Sequence, residues 1–195
     1  MWKKILILSF SITMLLIITG PTSLVYAGDN SIEVNWQIAG TIVQSIEVTP
    51  IFGPVGPHSL INLTAKGSPG TAKITLLSMT SYVPPPGWAF DCSTLQEYPE
   101  GPAYFIKNDF VAIFPDQSLL FASVDSNGAG SHLCFGETGT DFKVEMIVTG
   151  GTGRYEGALG NLTGEGIGYI IHPSSDLSLV AENGTITGTI YLPQP

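Results

Sequence analysis

Three histidines, two cysteines and a single arginine carry the most distinctive chemistry in this chain, and none stands in an arrangement that catalysis requires. His58, His132 and His172 have no serine in a Gly-x-Ser-x-Gly elbow to activate, so each is expected as a packed or surface residue. The sixteen acidic residues offer many accidental pairs, but paired-carboxylate hydrolysis needs two acids converging on one cleft, and no spacing singles out two. His132-Leu133-Cys134 supplies two potential zinc ligands without the partner pair a tetrahedral site needs, so no metal is expected. Asp125-Ser126-Asn127-Gly128 begins like a calcium loop but lacks the remaining ligands, and reads as a turn. Cys92 and Cys134 read instead as a disulfide, which the chain-entropy account values at about 4 kcal/mol for a loop of this length. Catalytic residues are therefore unknown, and no cofactor is expected.

The densest motif is Gly150-Gly151-Thr152-Gly153-Arg154-Tyr155-Glu156-Gly157-Ala158-Leu159-Gly160. It invites a phosphate-binding reading, which fails on spacing. Gly-x-Gly-x-x-Gly from Gly151 requires glycine at 156, where Glu156 places a carboxylate, and the Gly-Lys-Ser/Thr ending of a P-loop is absent. No helix pattern follows to offer N-terminal amides. The glycines permit positive φ and close backbone approach, and Tyr155 is suited to plugging one end of a barrel. Arg154, the one arginine, either clamps an acidic ligand or pairs with a nearby carboxylate such as Glu156 or Glu145; the pair is the commoner arrangement.

These residues must be positioned by strands, because period-two alternation recurs and no amphipathic helix is evident after residue 27. Ile32, Val34, Trp36 and Ile38 alternate with polar residues; further strands are expected around 42–48, 61–65 and 72–82. Residues 109–114 and 118–123 flank Pro115-Asp116-Gln117, a hairpin signal, and Phe142, Val144, Met146 and Val148 share one face. Later strands are expected at 162–171, 177–180 and 185–191, the last two joined by a turn at Asn183-Gly184, with another turn at Asn127-Gly128. Residues 83–102, containing Pro84-Pro85-Pro86-Gly87-Trp88, form the one long irregular stretch, pinned if Cys92 pairs with Cys134. Eight to ten strands without crossover helices imply antiparallel pairing, and closure into a barrel removes the exposed edges.

The chain opens with Lys3 and Lys4, then an apolar run from Ile5 to about Ile18, the breakers Gly20-Pro21, and Val25-Tyr26-Ala27. This is the pattern of a cleavable signal peptide over 1–27, cut between Ala27 and Gly28. The run is shorter than the roughly 20 apolar residues a spanning helix needs. The expectation is an exported protein, secreted or periplasmic, not membrane-embedded after cleavage. Residues 28–195 are then one domain of ordinary size. Lys3 and Lys4 leave with the leader, so the formal charge falls from −9 to −11. A surface that negative repels phosphate backbones, which excludes nucleic acid as a partner.

The Gly150–Tyr155 turn resembles a motif of the allene oxide cyclase and dirigent protein superfamily, in which a strand runs into Gly-Gly-Thr-Gly, with an aromatic one position later. It is still more similar to exported microbial proteins that carry Gly-Gly-Thr-Gly-Arg-aromatic-x-Gly-Ala and end near Gly-Thr-Ile-x-Gly-Thr-Ile, here Gly184-Thr185-Ile186-Thr187-Gly188-Thr189-Ile190. The resemblance covers residues 142–192 well and the first half poorly. It implies an all-β fold, a single antiparallel barrel of about eight strands with a partly apolar interior, often a trimer in the plant families. No cavity residue can be carried across position by position. Three functions remain open: a non-enzymatic binding or interaction barrel for a small apolar ligand, an enzyme steering cyclisation or coupling of an apolar substrate, and a structural envelope or extracellular component.

Overall fold

The structure is a computed structural model that describes residues 30–45, 55–125, 130–172 and 177–194. The leader, with Ala27 and Gly28, lies outside the described residues, as does the Asn127-Gly128 turn. Nine strands occur among the described residues: β1 (Ser31–Ser45), β2 (Val55–Ser68), β3 (Ala72–Ser81), β4 (Glu100–Ile113), β5 (Leu119–Val124), β6 (His132–Gly136), β7 (Gly139–Thr152), β8 (Leu159–His172) and β9 (Leu177–Tyr191). All their pairings are antiparallel. The sheet runs β3-β2-β1-β9-β8-β7-β5-β4, and a β3–β4 ladder closes it into a barrel. β5 and β6 share the seventh position, between β7 and β4. β5 borders Asp109–Ile113 of β4 and one end of β7, while β6 borders Glu100 and Ala103 of β4 and the other end of β7. The expected all-β antiparallel barrel of about eight strands is the observed architecture.

The alternation in the sequence becomes an inside and an outside. Val34, Trp36 and Ile38 of β1, Ile61, Leu63 and Ala65 of β2, and Phe142, Val144, Met146 and Val148 of β7 all fill the interior. The period breaks in β4. There Met79 pairs with Lys107 but Thr80 pairs with Phe105, so Ile106 is the extra residue of a bulge. Asn108 and Phe110 face inward on one side of it, and Phe105 and Ala103 on the other. A second bulge at Thr149, where Phe121 pairs with Gly150 and Ala122 with Val148, introduces the glycine motif.

Several expectations about elements need correcting. Residues 32–38 and 42–45 belong to one strand that runs through Gly40, with 46–48 outside the described residues. Asn183-Gly184 is not a turn but the middle of β9. A Cβ on Gly184 would run into the Glu165 carbonyl oxygen and crowd Gly166, so the glycine serves close approach of β9 to β8. The irregular stretch ends at Pro99, because Glu100, Gly101 and Pro102 already belong to β4. Finally, β6 was not expected as a strand.

Candidate functional site

The end of the barrel beneath the glycine motif is solid. Gly153-Arg154-Tyr155 forms a single 3-10 turn that drives Tyr155 into the barrel, where it is fully buried. Gly153 sits at φ 60, and a Cβ there would press on Ser118 Oγ at 2.7 Å, so only glycine suits the position. The Tyr155 ring lies 4.6 Å from Phe114, which lies 5.9 Å from Trp36, and the Trp36 indole N–H donates to the Gly70 carbonyl at 2.8 Å. Arg154 remains outside and covers this plug, its guanidinium 4.5 Å from the Phe114 centroid and 4.9 Å from that of Tyr155. Its ion pair is with Asp116 at 3.5 Å, in the β4–β5 turn, rather than with Glu156 or Glu145; Glu145 pairs with Lys143 instead. Gly150, at φ 144, and Gly151 and Thr152 complete the strand into this turn, and Thr152 Oγ1 accepts from the Leu119 amide. Arg154 is thus both stacked on the plug and paired, while the buried Tyr155 hydroxyl beneath it has no hydrogen-bond partner.

The opposite half of the barrel is different. An interior cavity there leaves about 40 Å³ open to the centre of a water-sized sphere, enough for a few waters or a small organic group. Its walls are mainly apolar, with Phe105, Phe142, Val144 and Val180 among them. Into it point Ser78 and Asn108, which face each other as partners across β3 and β4, and Glu182 on β9, on another part of the wall. All three are buried, at 6%, 1% and 3% exposure. Ser78 Oγ, both side-chain polar atoms of Asn108 and Glu182 Oε2 have no hydrogen-bond partner. Burial pushes the Glu182 carboxyl up from 4.5 to about 7. The residues paired with Glu182 on either side are Gly40 and Gly168. A Cβ on Gly168 would come within 2.8 Å of Thr140 Oγ1 and 2.9 Å of Val180 Cγ1, so this glycine keeps the wall beside Glu182 open.

A third region lies outside the barrel. Cys92 and Cys134 form the expected disulfide, which ties the irregular segment 82–99 to β6. Phe90 stacks on His132 at 3.5 Å, and His132 is buried with Nδ1 2.7 Å from the Gly130 carbonyl and Nε2 3.9 Å from Asp141. Burial lowers the His132 pKa and raises that of Asp141, each partly offset by the other. This packing makes His132 a clasp for the segment. Exposed His58 lies by an outer groove and His172 is exposed at the end of β8. Among the described residues no group of three or more His, Cys, Asp or Glu side chains could hold a metal, and no helix is long and apolar enough to cross a membrane.

The sequence reasoning missed all three cavity residues. Glu182 sat beside an Asn-Gly pair taken for a turn, and Asn108 sat beside a bulge that breaks the alternation. The available signal was Glu182 itself, in phase with Val180, Ile186 and Ile190.

No family profile matches the chain, and no curated protein matches it. Among solved structures, a pterocarpan synthase dirigent protein matches over 89% of this chain and 96% of its own, at 12% identity and a TM-score of 0.33. The barrel is defined by its strand registers alone. Fold and site together define a closed antiparallel barrel whose cavity holds one buried carboxyl and no other charged side chain among the described residues.

Proposed function

We propose that this chain is an exported, non-enzymatic binding barrel that holds a small, largely apolar molecule, with the polar end of that molecule set against Glu182, Asn108 and Ser78. The observation that carries this reading is the set of buried polar atoms without partners in one apolar cavity. Each such atom costs about 1–3 kcal/mol when left unsatisfied, a cost that a bound polar group removes. A few convergent polar groups in an apolar recess are the usual makeup of a small-molecule site. Export is supported by the leader pattern over 1–27 and by the Cys92–Cys134 disulfide, which persists in oxidising compartments.

Native mass spectrometry of the protein secreted by its own cells tests this, with a denatured run beside it. Extra mass that leaves on denaturation is the expected result, and a bare mass in every preparation overturns the reading. The denatured mass also checks the cut between Ala27 and Gly28, and the native one reports any homo-oligomer. One observation favours a second reading, an enzyme steering cyclisation or coupling of an apolar substrate: a buried carboxyl pushed up to about 7 is poised to give and take a proton at neutral pH. In that case Glu182→Gln abolishes turnover while leaving substrate binding in place.

A further inference from the structure

We infer that the polar end of the ligand is a protonated amine, held by the Glu182 carboxylate against the rings of Phe105 and Phe142 and the Asn108 side-chain oxygen. This deepens the binding reading above and rests on it. The argument starts from what the cavity lacks. Glu182 is the only titratable or charged side chain among the described residues that line it. The other described charged and titratable side chains of the surrounding strands are on the outer face: Glu33 on β1, His58 and Lys66 on β2, Lys73 on β3, Tyr104, Lys107 and Asp109 on β4, His132 on β6, Asp141, Lys143 and Glu145 on β7, Glu165, Tyr169 and His172 on β8, and Tyr191 on β9. Burial is accordingly the whole cause of the rise at Glu182, with no charged neighbour contributing.

A buried carboxylate without a counter-charge is costly, and a ligand that brings the counter-charge recovers more from this site than any neutral group can. The rest of the lining suits an ammonium. Phe105 and Phe142 offer aromatic faces, which attract cations most strongly where water is excluded. Asn108 Oδ1 and Ser78 Oγ are buried without partners and able to accept, and an ammonium carries three N–H donors to share among them and Glu182 Oε2, while the Asn108 amide N–H groups are left for another acceptor. An anionic ligand finds no basic side chain in the cavity, and the net charge of −9 favours the approach of cations.

Butylamine and butan-1-ol, matched in length, separate the two readings when titrated into the secreted protein by NMR chemical shift at pH 8 and pH 5.5. The amine stays protonated across this window, so the pH dependence reports on the protein. The expected result is at least tenfold tighter binding of the amine at pH 8. Its affinity then falls about 30-fold at pH 5.5, where Glu182 must lose a proton to accept it, while the alcohol changes little. In Glu182→Gln the preference collapses to within about threefold and the pH dependence disappears. Alcohol binding as tightly as amine, or an amine preference that survives in Glu182→Gln, overturns the amine inference and leaves the binding reading standing. Failure of both probes to bind overturns both.

Discussion

The two ends of the barrel are built from the same strands, yet they differ in what they leave unpaired: one buried hydroxyl, that of Tyr155, beneath the glycine motif, against four side-chain polar atoms of Ser78, Asn108 and Glu182 in the cavity half. Beneath the glycine motif, the Trp36 indole has its carbonyl, Phe114 has aromatic neighbours on two sides, and Arg154 lies across the plug with Asp116 beside it. In the cavity half, Ser78, Asn108 and Glu182 are as deeply buried but hold polar atoms that meet nothing. Both halves are shaped by glycine, to different ends. Gly153 turns the chain so that Tyr155 fills space, whereas Gly168 keeps space open beside Glu182. The heavier load of unpaired atoms, gathered around one cavity, assigns binding to that half and stability to the other, because such groups persist where a function retains them.

The largest effect that tests this contrast is expected at the solid end. Trp36→Ala removes a fully buried indole, its hydrogen bond to Gly70 and its contact with Phe114. It is expected to cost about 4 kcal/mol, read as a fall of roughly 10 °C in Tm by circular dichroism. A loss under about 1 kcal/mol breaks the comparison, since the plug would then contribute little.

Glu182→Gln is expected to act with the opposite sign, and only in part of the pH range. The folded carboxyl keeps its proton up to about 7, while in the unfolded chain it ionises near 4.5. Between those values the folded state binds the extra proton, so the Glu182 contribution to stability falls as pH rises from 4.5 to 7 and is level above. Glutamine carries no such dependence. The variant is therefore expected to gain about 3 kcal/mol on the wild type between pH 4 and pH 8, seen as diverging melting temperatures. Melting curves that run parallel across pH would show that Glu182 is paired or solvated.

How much of this was legible in the sequence follows the same division. The solid end could be read because its signals are local. The glycine run, the aromatic at 155, the Pro115-Asp116-Gln117 turn and the alternation of β1 and β7 are each contained in a few consecutive residues. The cavity could not, because it depends on register between strands distant in sequence. Ser78 and Asn108 meet only through the β3–β4 ladder, and Asn108 faces inward with Phe105 only because Ile106 bulges out. Asn183-Gly184 was misread for a related reason. Its glycine answers to the backbone of β8, a tertiary demand that overrides the local turn preference. The partner of Arg154 differs from the expected Glu156 or Glu145 because Asp116 is brought to it only by the pairing of β5 with β7.

Asn108→Leu sharpens the comparison further, with a smaller gain. Leucine keeps the branched shape of asparagine, its bulkier methyls reach into the adjoining cavity, and two buried polar atoms without partners are removed, so stability is expected to rise by about 1–2 kcal/mol in thermal melts. The same substitution is expected to weaken binding of any ligand with a polar end, measured by the same titrations. Destabilisation would mean that Asn108 has a partner in the working protein, and would remove one of the three polar groups from the site.

The smallest expected effect returns to the solid end. Arg154→Gln removes the cation that lies over Phe114 and Tyr155 but leaves both rings buried behind it. Its pair with Asp116 is about half exposed, so the ion pair is screened and contributes little. The loss is expected to come chiefly from the stacked guanidinium, about 1 kcal/mol, and to persist in 1 M salt. A loss that vanishes in salt assigns the role of Arg154 to the ion pair instead. Ligand affinity is expected to stay unchanged in either case, because Arg154 lies at the far end of the barrel from Glu182. A change in affinity would show that the two ends are coupled and that the division between them is too sharp.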